Sequence, residues 1–377
     1  MAKKKKIKGL SLNKIRDKYG SKSASDISLS GDKFLWLPSA STALNFQLGG
    51  GIPYGRILEI FGTESSGKSL VAYDYAFATQ ALGGKVLWVD AENVWTNEWA
   101  EKNSIDPSEV ELINEISIES IADWIAEVCT YYRSQLVNNE PILLVVDSLA
   151  ALDTEENLNT TQLDAKAEMG NRAKAVYTML RRRNPLLTKL GVCSIFINQI
   201  RDKVGASNYE DPNTTVGGKA MQFYASLRLA FFGGKAVKAK KSKGVEIIIG
   251  KEVSVRIKKN KVAPPRASYK SEIYFTDDTG KSIGLSPTLG LYDMLLASGH
   301  IHKKGGSHKL YLLDEEESFC LGERGFYKYI SNEDNLNNLV DSIPQLNTID
   351  KFQEKLDSID QNLFPIETSG GEEDEEE

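Results

Sequence analysis

"RILEIFGTESSGKSLVAYDYAFATQALGG" (56–84) is the stretch on which the fold turns. "RILEIFG" (56–62) reads as a buried strand, and "SLVAYDYAFATQALGG" as a helix that stops at glycines. Between them "GTESSGKS", Gly62–Ser69, has the spacing of a phosphate-binding P-loop, in the strand–loop–helix context such a loop requires. Glycines let backbone N–H groups close around phosphate oxygens, and the helix N-terminus adds its positive end. Gly62, Thr63, Glu64, Ser65, Ser66 and Gly67 would form the cradle of an ATP site. Lys68 would reach the β/γ-phosphates, and Ser69 would offer its hydroxyl to Mg²⁺. The plainer alternative is a glycine turn capping a helix.

Outward from this stretch, strand and helix patterns alternate. "KVLWVD" (85–90), "ILLVVD" (142–147) and "VCSIFIN" (192–198) read as buried strands. "SIESIADWIAEVCTYYRSQL", opened by a capping serine, and "MGNRAKAVYTMLRRRNPLLTKLG" read as helices. Apolar strands separated by helices predict an α/β core with a mostly parallel central sheet covered on both faces. From about Ala225 the period becomes two: "ASLRLAFFG" and "EVSVRIKKNK" predict antiparallel strands around a basic loop, "GGKAVKAKKSKG", with "SEIYFT" (271–276) as a further strand. We divide the chain into a basic N-terminal arm with a short packing helix (1–34), the core (35–283), a small α+β C-terminal domain (284–366) and an acidic tail (367–377).

Composition narrows the class. The chain of 377 residues is 41% hydrophobic and 26% charged, and no apolar run approaches the length that spans a bilayer. The basic N-terminus lacks the apolar core of a signal peptide. Three scattered cysteines suggest neither a disulfide framework nor a zinc site, and the histidines of "GHIHKKGGSH" read as an exposed turn. The expected location is cytoplasmic. The net charge of −6 equals the six acids of the final "EEDEEE", so the remainder is neutral and the two termini are oppositely charged tails.

Three further positions carry chemistry. Asp147, at the end of "LLVVD", fits a carboxylate that orders Mg²⁺ or its water, although any buried parallel strand can end in Asp. "VDAEN" offers Glu92 or Asp90 to activate the attacking water, or both as capping acids. Gln199 stands just beyond a strand end, where an amide can sense a γ-phosphate. It is followed by a long polar stretch, "RDKVGASNYEDPNTTVGGK", that a compact domain seldom carries idly.

The blocks "GTESSGKS", "VDAEN", "LLVVDSLAAL" and "FINQIR…TTVGGKAMQFYASLRL", in this order, resemble the bacterial and phage RecA recombinases. The likeness covers roughly residues 11–300. It implies a RecA-type ATPase core in which Glu92 activates water, Asp147 supports Mg²⁺, and Gln199 couples nucleotide state to DNA loops. Trp99 falls where the family has an adenine-stacking tyrosine. Lys259 and Lys261 match lysines that reach the ATP of a neighbouring protomer, and Phe223 matches a protomer-coupling position. Two loops, about 153–170 and 200–216, would bind DNA, with Met169, Lys174, Arg181, Arg201, Lys203, Val204, Gly205, Thr214, Thr215, Gly217 and Gly218 as candidate contacts. The chain departs from the family in slightly longer loops, in Thr96 where an acid is common, in Lys174 replacing an arginine, and in a lengthened basic hairpin. Beyond residue 300 the likeness nearly vanishes, which has a phage-like character.

The resemblance implies a DNA-dependent ATPase that forms ATP-bridged helical filaments on single-stranded DNA and catalyses homologous pairing and strand exchange in recombinational repair. Its partners would be single- and double-stranded DNA and further copies of itself, with single-strand-binding and loader proteins as additional candidates and no membrane, in a bacterial or phage-infected cell. The basic hairpin would gather duplex, and the acidic tail would compete for that surface. A hexameric helicase or motor on the same core, or a non-catalytic recombination mediator, are the alternatives.

Overall fold

The computed structural model describes residues 35–359 apart from 161–164, 203–212, 241–245, 265–267, 277–282, 305–308 and 313–314, together with Ser11, Lys14, Arg16, Leu363 and Phe364. The chain divides into units 1–35 and 36–377. Of the expected N-terminal helix, only Lys14 and Arg16 lie among the described helical residues.

A ten-stranded mixed sheet organises the second unit. Its strands are β1 (Ile57–Gly62), β2 (Lys85–Asp90), β3 (Val110–Ile113), β4 (Ile142–Asp147), β5 (Cys193–Asp202), β6 (Asn213–Thr215), β7 (Leu227–Lys240), β8 (Glu246–Asn260), β9 (Tyr269–Tyr274) and β10 (Gly284–Leu285). They lie in the order β10-β9-β8-β7-β1-β5-β4-β2-β3, with β6 paired to β5. From β7 through β3 all neighbours run parallel; β8, β9 and β10 add antiparallel strands at the other side. Every residue of β1 and β4 is buried, as expected for parallel strands covered on two faces.

The flanking helices are α1 (Thr42–Leu48), α2 (Lys68–Ala81), α3 (Asn97–Lys102), α4 (Ile118–Gln135), α5 (Glu155–Asn159), α6 (Ala165–Lys189) and α7 (Ala220–Tyr224). Ser117 caps α4, its side chain accepting from Ser120 N as the sequence predicts. The buried stripe Ile118, Ile121, Ile125 and Cys129 has helical spacing and joins Leu144, Val146, Val176 and Leu180 in one core. Beyond the sheet come α8 (Leu291–Ala297), α9 (Gly322–Ile330), α10 (Glu333–Ser342), α11 (Ile349–Asp357) and a small antiparallel sheet over 301–303, 309–312 and 320–321. Asn347 ties this segment to the core, its side-chain amide donating to the carbonyls of Trp36 and Gly50.

Several expectations need correction. Gln199 does not stand beyond the strand: β5 runs on to Asp202 and pairs antiparallel with β6, so both ends of the long polar stretch form a two-stranded ribbon. Most of the described part of 153–170 is helical, because Thr154 caps α5 and Glu155 and Glu156 favour its positive N-terminus. Much of the expected basic loop belongs to β7, which stays paired with β8 as far as Lys240 and Glu246. The short strand β3, "VELI", was too brief to show in the sequence pattern.

Candidate nucleotide and DNA site

The parallel strands end together, and the register decides what meets there. Gly62 of β1 lies opposite Gln199 of β5, and Asp90 of β2 opposite Asp147 of β4. Ligands of open α/β sheets bind at such carboxyl ends.

A Cβ on Gly62 would fall 2.0 Å from the carbonyl oxygen of Phe231, so only glycine allows this approach. Ser65 and Gly67 take left-handed φ values of 52° and 85°, curling the loop into the first turn of α2. Ser66 Oγ donates to Thr63 O at 2.8 Å. Lys68 Nζ folds over the same loop, donating to Thr63 O at 2.8 Å and Gly62 O at 3.4 Å. Burial lowers the Lys68 pKa, against the opposing pull of Asp147, Glu92 and Glu64. An ammonium group satisfied only by loop carbonyls can exchange them for phosphate oxygens, which are charged and bind it more strongly.

Burial raises the Asp147 pKa to about 6, while a hydrogen bond from the Ser69 side chain opposes the shift. One hydroxyl and one carboxylate are hard oxygen donors, a set that fits Mg²⁺ completed by phosphate and water. Among the described residues no group of three or more His, Cys, Asp or Glu could hold a metal.

The two acids of "VDAEN" differ in their partners. Asp90 is buried and accepts from Val94 N at 3.1 Å and Trp95 N at 2.8 Å, so its carboxylate organises the following turn. Glu92 is exposed and accepts a hydrogen bond from Ser148 Oγ, which stands next to Asp147. Thr96, where the family often has an acid, caps α3 by accepting from Trp99 N. Trp99 is half-buried and lines a cavity of about 160 Å³ with Ser69, Tyr73, Trp88, Trp95 and Asp147. Tyr73 stacks on Trp95 at 5.6 Å between ring centroids, giving this cavity an aromatic wall.

Lys259 and Lys261 lie elsewhere. Lys259 pairs with Arg228, and Arg228 with Glu59, near the start of β1 and away from the P-loop end. The Lys259 ammonium donates to the carbonyls of Gln222 and Phe223 at the end of α7. Its pKa is lowered to about 8 by burial and by neighbouring Lys261. Phe223 is 65% exposed, high for an aromatic residue.

The candidate DNA residues converge on α6 and the β5–β6 ribbon. Lys174 and Arg181 are exposed on α6, and Met169 lies in the same helix, about 18 Å before Arg181 along the axis. Arg201 lies in β5, and Thr214 and Thr215 in β6, with Arg201 opposite Thr214. Lys203, Val204 and Gly205 lie outside the described residues. Gly217 and Gly218 both have positive φ, and a Cβ on either would contact Val176 or Ala173 of α6. The end of the second loop is thereby seated beside the helix that carries the end of the first.

The model of the RecA N-terminal domain matches residues 5–280. The chain belongs to the RecA family. It is 36% identical over 295 residues to Protein RecA of Thermus aquaticus, covering 76% of this chain and 81% of the relative. Identity to Protein RecA of Geobacter sulfurreducens is 35% over 270 residues, covering 71% and 74%. With Protein RecA of Borreliella afzelii it is 34% over 312 residues, covering 81% and 78%. The expected RecA-type core and the assignment as an ATP-hydrolysing DNA recombinase are borne out.

Against that RecA frame, sequence reading missed a buried polar cluster. Glu59 is fully buried, ion-paired with Arg228, and accepts from Asn198 Nδ2 at 3.0 Å. The same amide donates to Val216 O at 3.0 Å. Charged and amide residues inside apolar strands were the available signal, since a buried charge must be paired. Tyr73 and Trp88 were missed because aromatic residues at strand and helix spacing read equally well as core, and Trp95 because it stands in the turn between β2 and α3.

Proposed function

We propose that this RecA-family chain polymerises on single-stranded DNA with ATP bound between protomers, and uses the filament for homologous pairing and strand exchange. The observation that carries this reading is the register of Gly62 against Gln199, because β5 continues from Gln199 directly into the ribbon of the second DNA loop. A change at the γ-phosphate then reaches DNA through one continuous strand. Lys68 binds the phosphates after leaving its loop carbonyls. Ser148 orients the Glu92 carboxylate, which takes a proton from the water attacking the γ-phosphorus. Ser69 and Asp147 would hold Mg²⁺, which when bound offsets charge on the phosphate oxygens. Trp99 stacks on the base.

Lys259 and Lys261 act on the ATP of a neighbouring protomer. Their position away from their own P-loop, next to exposed Phe223, supports an active site completed in trans. Met169, Lys174, Arg181, Arg201, Lys203, Val204, Gly205, Thr214, Thr215, Gly217 and Gly218 follow the DNA backbone without reading sequence. A cytoplasmic location, with single-strand-binding and loader proteins as partners, accords with this reading.

The test is the ATPase rate with and without single-stranded DNA at two salt concentrations, together with electron microscopy. We expect stimulation by DNA and helical filaments. Rings would favour the hexameric motor, and DNA binding without turnover would favour the mediator.

A further inference from the structure

Phe364 packs against the connections that lead into β1, β4 and β5, at the amino ends of the strands whose carboxyl ends carry the nucleotide site. Its ring stacks on Tyr54 at 5.7 Å between centroids, with 29° between the planes. Tyr54 in turn meets Phe352 of α11 at 6.0 Å. A Cβ on Gly191, whose φ is 66°, would fall 2.7 Å from the Phe364 ring, so glycine leaves the space that the ring fills. Leu363 N donates to the side-chain oxygen of Asn139, and Tyr54 Oη donates to Asn139 O at 3.2 Å.

Arg133 of α4 lies against the same ring. It is 1% exposed, with Cζ 5.4 Å from the Phe364 centroid. Nε donates to Leu190 O at 3.0 Å and Nη1 to Glu140 O at 3.1 Å, but Nη2 has no hydrogen-bond partner among the described residues. Glu140, which supplies one of those carbonyls, turns its carboxylate to Asn138 N at 2.7 Å. A buried charged donor left without an acceptor costs more than a neutral one. Leu363 and Phe364 are themselves only half-buried. They fill the socket with a ring and leave a charged N–H inside it unused.

We propose that this socket docks an acidic aromatic peptide of a partner protein, with Leu363 and Phe364 as a built-in occupant that the peptide displaces. The partner's ring takes the place of Phe364 against Tyr54 and Arg133, and its backbone N–H replaces Leu363 N on Asn139. A carboxylate beside that ring accepts from Arg133 Nη2. This charge-assisted hydrogen bond is what the resident segment lacks. A second copy of this chain would bring the same Leu-Phe pair with no added acceptor, which favours a different protein. Docking at the amino ends of the strands leaves the nucleotide site open.

The probe is the fluorescein-labelled peptide Asp-Gln-Asn-Leu-Phe, which repeats residues 360–364 and ends in a free carboxylate next to the ring. Its C-terminal amide is the control. Both are titrated by anisotropy into the full chain, as wild type and as Phe364→Ala, which empties the socket. The carboxylate form should bind Phe364→Ala about 10- to 100-fold tighter than the amide does, the range for a hydrogen bond to a charged group. It should bind the wild type more weakly and raise hydrogen exchange at Leu363, followed by mass spectrometry, because that amide leaves Asn139. Should Phe364→Ala unfold, the wild-type chain still reads both the carboxylate preference and the exchange at Leu363. Equal binding of the two peptides, or a wild-type chain that binds neither, overturns the proposal. So does binding that leaves exchange at Leu363 unchanged.

Discussion

Asn198 donates from its side-chain amide to Glu59 across the sheet at 3.0 Å, and both side chains are fully buried. The amide's other hydrogen bond holds Val216 O, where the candidate second DNA loop returns to the core. One side chain thus fastens that loop to the P-loop strand. Asn198→Ala should cost about 1–3 kcal/mol, because it leaves Glu59 short of a buried partner. Chemical denaturation measures that loss. If Asn198 also carries the coupling, DNA stimulation of ATP hydrolysis should fall further than unstimulated turnover.

Glu92→Gln should retain nucleotide and DNA binding while turnover falls by about 10²- to 10⁴-fold, the range for loss of a general base. Lys68→Ala should instead lose nucleotide-dependent filament formation. Single-turnover hydrolysis and electron microscopy separate the two phenotypes. Full activity in Glu92→Gln would move the base to another residue.

Mixing tests the shared active site. Lys259→Ala retains its own P-loop, and Lys68→Ala retains its own Lys259. Mixed filaments of these two inactive variants should recover part of the wild-type ATPase rate, because some interfaces contain both intact halves. A mixture no more active than its components would place Lys259 in cis.

Trp99→Ala should weaken nucleotide binding by about 2- to 13-fold, the equivalent of one lost aromatic stacking contact. Quenching of tryptophan fluorescence by nucleotide provides the measurement, with Trp95 in the same cavity as a second reporter.

Asp74 gives a pH dependence of stability. Burial raises its pKa to about 8, with a smaller opposing effect from its hydrogen bond with Leu285 N. The folded state therefore holds this proton more tightly than the unfolded chain, whose pKa is near 3.8. Between those values, this group makes stability fall as pH rises, by about 1.4 kcal/mol per pH unit. Asp74→Asn keeps an acceptor for Leu285 N and should remove that slope. Denaturant midpoints from pH 5 to 8, within that window, would show the difference.

The sequence by itself determined the P-loop, the parallel strands and the order of the motifs. Each depends on neighbours along the chain: glycines where the backbone must turn, apolar runs where a strand is covered on both faces, and a serine where α4 begins. Tertiary structure decided how these pieces meet. Strand register put Gly62 beside Gln199 and Asp90 beside Asp147, and it carried Lys259 away from its own P-loop. It also separated Asp90, tied to the turn at Val94 and Trp95, from exposed Glu92, which accepts from Ser148. Glu59, Asn198 and Arg228 lie far apart in the chain, and their pairing follows from burial in one sheet, where no charge stays stable without a partner.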